Sequence, residues 1–241
     1  MSGHSKWHNI QAKKSKTDAA RAKVFTKIGK EIAIAIREGG ANPGSNSKLR
    51  ELIVKAKANN VPNDNIDRII KKATEEKRDY KEITYEGYGP GGVAVIVETA
   101  TDNTNRTVGN VRAYFSKFHG NLGNTGCVSF MFTEKGVITI EKEECDLSED
   151  EIMEIALEAG AEDFSAEDDE IYEITTDPAD LSAVRDALME KKIKLSGADL
   201  EKIPGNYVEL TSEDDVKWMT LLLDKLDEDD DVQQVYHNWE G

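Results

Sequence analysis

Apolar residues between Thr17 and Glu38 recur at helical spacing, with Ala20, Val24, Ile28, Ile32 and Ile36 along one line and Phe25 and Ala35 beside it. That periodicity predicts an amphipathic helix. Gly39 and Gly40 stop it, and ANPGSNS reads as a loop because glycine, proline and asparagine favour turns. Leu49, Leu52, Ile53 and Ala56 start a second apolar face, Pro62 breaks it, and Ile66, Ile69, Ile70 and Ala73 mark a third helix that Asn63 or Asp64 would cap. Three short helices with one apolar face each predict a small bundle.

Beyond Tyr80 the pattern changes to short β-rich runs alternating with helical ones. Gly92 to Ala100, with VAVIV at its centre, reads as a buried strand, Thr104 to His119 as a helix with Val108, Val111, Tyr114 and Phe115 inward, and Cys127 to Phe132 as a strand. Near the C-terminus, Tyr207 to Thr211 reads as a strand and Ser212 with Asp215 as the start of a helix through Trp218, Leu221, Leu222 and Leu226. Val232 to His237 then reads as a strand. Two such halves compose a ferredoxin-like βαββαβ sandwich.

The same scheme repeats between them. Val137 to Ile140, Ile171 to Thr175 and Lys194 to Leu200 read as strands, with a short extended piece around Ala161 to Ser165. Ser148 with Glu151 is a capping box for a helix through Ile152, Ile155 and Leu157, and Asp177 with Pro178 starts one through Leu181, Val184 and Leu188. The expected class is α+β with three domains: a basic helical domain at 1–79, a discontinuous ferredoxin-like domain at 80–133 and 206–241, and an acidic ferredoxin-like domain at 134–205 inserted into it. A single larger α/β sheet is the alternative.

Charge changes this picture from architecture to function. Residues 1–78 hold 18 Lys and Arg against 8 Asp and Glu, a net of +10, whereas the remaining 163 residues hold −26. A polyanion meets the local field, screened beyond roughly 8 Å at physiological salt, so the overall charge of −16 does not exclude a nucleic acid. Lys16, Lys23, Lys27, Lys30 and Arg37 fall within roughly 40° of one line on the first helix, opposite its apolar face. Lys6, Lys13, Lys14 and Arg21 flank this stripe, and Lys48, Arg50, Lys55, Lys57, Arg68, Lys71 and Lys72 extend it. An excess spread over several elements is what a polyanionic backbone would require. Trp7 and His8 in the same segment would either stack on bases or anchor the tail on the bundle. The candidate nucleic-acid-binding residues are therefore Lys6, Trp7, His8, Lys13, Lys14, Lys16, Arg21, Lys23, Lys27, Lys30 and Arg37.

Little else in the chain points to chemistry. His4, His8, His119 and His237 are scattered, and Cys127 and Cys145 form no C-x-x-C, so neither a metal nor a cofactor is expected. YGPGG at 88–92 and GNLGNTG at 120–126 lack the GK[ST] of a phosphate loop and read as tight turns. Asp102, Asn103, Asn105 and Arg106 form a polar cluster at the end of a strand, either a site or, in Asp102 to Thr104, the cap of the following helix. The acidic run Asp227 to Asp231 reads as a solvated face. Two cysteines fit a reducing interior, and the longest apolar runs are too short to span a membrane, so a cytoplasmic, non-enzymatic protein is expected.

GHSKWHNIQAKKSKTDAARAKVFTKIGKEI at 3–32, GGANPGSNSKLRELIVKAKANNVPNDNIDRIIKKA at 39–73 and YEGYGPGGVAVIVETATDNTNRT at 85–107 closely resemble the YebC family. The resemblance covers essentially the whole chain and implies a helical N-terminal domain followed by two α/β domains. It further implies a regulator of gene expression: bacterial members are described as probable transcriptional regulators that bind DNA, and a mitochondrial member activates translation, which suggests ribosomal RNA or the ribosome as an alternative partner. Lysines favour phosphate over bases, so sequence-tolerant backbone binding is the expected mode. A protein-interaction adaptor remains a second alternative, and a monomer is the expected state.

Overall fold

The computed structural model describes residues 18–76 and 78–241, which form two compact units, residues 18–131 with Asn206–Gly241 and Phe132–Gly205. The first unit opens with three helices, α1 (Asp18–Gly39), α2 (Ser47–Ala58) and α3 (Asn63–Glu75). Their apolar faces meet as the periodicity predicts: Ile28, Ile32, Ala35 and Ile36 pack with Leu49, Leu52, Ala56, Val61 and Ile66. The α1–α2 loop is held from within by Asn46. Its amide donates to the carbonyls of Ala35 (2.7 Å) and Gly40 (2.8 Å), and its Oδ1 accepts from the Leu49 N–H (3.0 Å), capping α2. At α3, by contrast, the expected cap from Asn63 or Asp64 is not made: Pro62 is the capping residue and gives no side-chain bond. Proline supplies the fixed φ that starts a helix there.

The rest of this unit is a four-stranded antiparallel sheet, β1 (Lys81–Tyr88), β2 (Ala94–Thr101), β3 (Asn121–Leu122) and β8 (Val232–His237), in the order β3-β1-β2-β8. Two helices, α4 (Thr104–Lys117) and α7 (Glu213–Glu228), pack on it through Val111, Phe115, Met219, Leu222, Leu223 and Leu226. Residues 93–97 are wholly buried. A run without polar alternation is what a strand covered on both faces requires; further along β2, Glu98 and Thr99 line a cavity of about 240 Å³ with Glu31, Lys48 and Leu52 of the bundle.

Two strand assignments differ from the sequence reading. Cys127 to Met131 is a loop with one 3₁₀ turn, Phe132 already belongs to the next strand, and Tyr207 to Thr211 contributes a single bridge, Val208 to Trp239. Their places are taken by β1, joined to β2 through the YGPGG turn, and by the two-residue β3, so the strands and helices of this sheet follow one another as β-β-α-β and then α-β, with the β1–β2 hairpin at its centre, and not in the expected βαββαβ order. The turn is built on Pro90 and on Gly91 and Gly92, both at positive φ (65° and 80°), a region that side chains disfavour.

The second unit contains β4 (Phe132–Glu141), α5 (Glu149–Glu158), β5 (Asp163–Ser165), β6 (Ile171–Thr176), α6 (Leu181–Glu190) and β7 (Gly197–Pro204), a βαββαβ chain with strand order β5-β6-β4-β7. This is the ferredoxin-like arrangement expected for 134–205, short β5 included. Ser148 and Glu151 form the capping box at α5. The core joins Ile138, Ile140 and Ile174 to Ile152, Ala156, Val184 and Leu188.

Candidate nucleic-acid interface

The lysines of α1 share a face, as their spacing dictates, but that face meets carboxylates of the same unit. Lys23 and Lys27, one turn apart, both donate to Asp227 at the end of α7 (3.0 and 3.1 Å). Lys30, at 9 % exposure, donates to Asp231 Oδ1 (2.8 Å) and to the carbonyls of Asp230 (2.7 Å) and Ala100 (3.1 Å). Its ammonium also lies 5.7 Å from the centre of the Tyr80 ring. The acidic run Asp227 to Asp231 is therefore not a solvated face. It is the counter-surface of the basic stripe, placed there by the packing of the bundle on the sheet.

Asp231 organises this seam. Its second oxygen accepts from Arg106 Nη2 (2.7 Å) and Nε (3.1 Å), Thr107 Oγ1 (2.9 Å) and Thr101 Oγ1 (3.2 Å). Burial alone would raise its pKa, but donation from Lys30, Arg106 and Thr107 brings it down to about 2. Asp229 accepts from Tyr114 Oη (2.9 Å) and Asn110 (3.2 Å); burial and this bond push the Tyr114 phenol up to about 12. Burial also pulls Lys27 below its ordinary value against the opposing attraction of Asp227. Within the cluster at the end of β2, Asn103 caps α4 by accepting from the Arg106 N–H (3.1 Å). A cleft of about 460 Å³ opens beside this seam, lined by Thr26, Lys30, Arg78, Tyr80, Arg106 and the carboxylates.

The remaining candidates are distributed differently. Arg37 is half exposed and bonds to Asp79 (2.6 Å) and the Tyr80 carbonyl (2.5 Å). Lys6, Trp7, His8, Lys13, Lys14 and Lys16 lie outside the described residues, as does the side chain of Arg21. On α2 and α3, Lys57, Arg68 and Lys72 are exposed, and among the described residues none has a carboxylate partner. Lys71 is also exposed, with a loose 3.9 Å approach to Glu75.

A second buried carboxylate escaped the sequence reading altogether. Glu86 on β1, 4 % exposed, accepts the backbone N–H groups of Gly126 (2.7 Å), Val128 (2.9 Å) and Ser129 (2.8 Å). Burial raises its pKa, but the three donors outweigh burial and hold it below its ordinary value. GNLGNTG is thus a pinned loop. Nothing in the sequence marks it, because Glu86 shares the polar alternate positions of β1 with Glu82 and Thr84.

Chemically, these arrangements hold surfaces together; they do not activate a group. Among the described residues no three His, Cys, Asp or Glu side chains converge as metal ligands, both cysteines are free, and no helix is long and apolar enough to cross a membrane.

Two family models match the chain: residues 5–76 correspond to the TACO1/YebC N-terminal domain and residues 80–239 to the TACO1/YebC second and third domain. A protein of Lachnoclostridium phytofermentans is 54 % identical over 242 residues, with all of both chains covered, and one of Agathobacter rectalis is 57 % identical with the same coverage. Both are named probable transcriptional regulatory proteins. The crystal structure of a conserved hypothetical protein from Aquifex aeolicus superposes with a TM-score of 0.84 at 42 % identity, covering 93 % of this chain and 92 % of that one. The chain belongs to the TACO1/YebC family.

Proposed function

We propose that the protein is a non-enzymatic, cytoplasmic regulator of gene expression that binds a nucleic-acid backbone through its N-terminal helical domain, residues 1–79. The observation that carries this reading is the set of exposed cations on α2 and α3, Lys57, Arg68 and Lys72, which have no carboxylate partner among the described residues. Basic residues from Lys6 to Arg21 extend the same charge in sequence. Lys23, Lys27 and Lys30 are committed to Asp227 and Asp231 and serve to hold the bundle on the sheet. The names of the relatives support a transcriptional role.

A surface dominated by lysine contacts phosphates and reads no bases, so it suits ribosomal RNA as well as duplex DNA. Binding to a duplex is expected to fall with log salt at a slope of about −0.9 per phosphate contact. A complex insensitive to salt would reject the proposal. The same preparation, tested for co-sedimentation with ribosomes and for preference between promoter and random duplex, separates the two partners: ribosome binding without promoter preference would reject transcription.

A further inference from the structure

Residues 118–133 form the longest run in the chain without Asp, Glu, Lys or Arg, sixteen residues in a protein of which 32 % is charged. Within that run Phe130 is 76 % exposed, the most exposed of the large apolar side chains in the described residues. Single exposed apolar side chains are common on folded surfaces, so it is the setting of Phe130, and not its exposure alone, that matters. The backbone beneath it is fixed: Glu86 takes three N–H groups from 126–129, the Gly123 N–H donates to the Glu86 carbonyl (2.8 Å), and Tyr88 Oη donates to the Cys127 carbonyl (3.2 Å).

These bonds decide what the loop is able to recognise. Three of its N–H groups, which could otherwise cradle a phosphate, point inward to a carboxylate. What remains outside is the Phe130 ring with the exposed side chains of Asn121, Asn124 and Thr125, a π face and neutral amide and hydroxyl groups. That is the chemistry of an unpaired base, recognised by stacking and edge hydrogen bonds. The charge pattern agrees. The part of the chain after residue 78 carries −26, and this run lies inside its longest stretch without Asp or Glu, residues 103–133.

Building on the proposed nucleic-acid function, we infer that the 121–130 loop is a second contact point, at which Phe130 stacks on an unpaired base of a single strand while the basic helical domain holds phosphates. Because the loop is held before binding, little ordering entropy opposes the contact.

The test uses the full-length protein and three fluorescent probes of roughly 20 nucleotides: a mixed-sequence single-stranded RNA, the same strand annealed to its complement, and an abasic chain that keeps the phosphates. Phe130→Ala is expected to weaken binding to the base-bearing single strand on the order of tenfold, to leave the duplex and the abasic chain unchanged, and to keep the salt slope. Phe130→Trp should retain the affinity and lose indole fluorescence on binding. Equal affinity of Phe130→Ala and the unaltered protein for the base-bearing strand would overturn the inference alone, leaving an apolar protein pocket as the ring's occupant. Failure of the unaltered protein to bind any probe would overturn both this inference and the function on which it rests.

Discussion

Lys30 on α1 and Asp231, the residue before β8, stand 2.8 Å apart, each nearly buried, although 201 residues separate them in sequence. A buried charge pair is costly to break from one side, because the partner is left uncompensated. Asp231 also holds Arg106, Thr101 and Thr107, so it ties α1, β2 and α4 into one polar centre.

Replacing Asp231 with Ala should therefore destabilise the first unit by about 3–5 kcal/mol, read as a loss of urea resistance. Lys30→Met, which fills the site with an apolar chain of similar length, should cost less than Lys30→Ala. Equal costs would show that the lost charge sets the penalty and the volume of the side chain does not.

Acid should act through the same carboxylate. The folded pKa of Asp231, about 2, lies below its ordinary value of 3.8, so its stabilisation is fully present above pH 4 and is lost as pH falls towards 2, a loss of about 2 kcal/mol. Denaturant midpoints measured between pH 6 and pH 2.5 should show a gap between the unaltered protein and Asp231→Asn that narrows as the pH falls.

Glu86→Gln removes one acceptor oxygen and turns an amide against backbone donors. A loss of about 2–3 kcal/mol is expected. Hydrogen exchange at 126, 128 and 129 should accelerate, while α1 to α3 stay protected; unchanged exchange there would mean that the loop is held by other bonds.

The division of labour among the basic residues is open to the same kind of check. Lys23→Ala with Lys27→Ala should lower stability by about 1–2 kcal/mol and leave the salt slope of nucleic-acid binding intact. Lys57→Ala, Arg68→Ala and Lys72→Ala together should leave stability alone and reduce the slope by up to about 0.9 per contact. The reverse pattern would return the interface to the α1 stripe.

Packing in the second unit is tested at Gly136 on β4. A Cβ there would lie 2.8 Å from Leu181 Cβ and closer still to Thr176 Oγ1. Gly136→Ala should cost about 1–3 kcal/mol, seen as a lower melting midpoint.

Periodicity determined the helices of the bundle, the buried strand at 93–97 and the whole second sandwich, since each of these buries one well-marked apolar face or run. It missed β1, where KEITYEGY carries three charges and offers only Ile83, Tyr85 and Gly87 on alternate positions, and it overvalued Tyr207 to Thr211, which has a strand's composition but pairs through one bridge. Composition along the chain likewise determined that basic and acidic residues are segregated. What it left open was where the two charges would sit. Tertiary structure alone decided that Asp227 and Asp231 would face Lys23, Lys27 and Lys30, and that Glu86 would collect amides forty residues away. Both results depend on how bundle, sheet and loop pack in space, and a pattern of residue types along one chain carries no information about which distant surface will cover it.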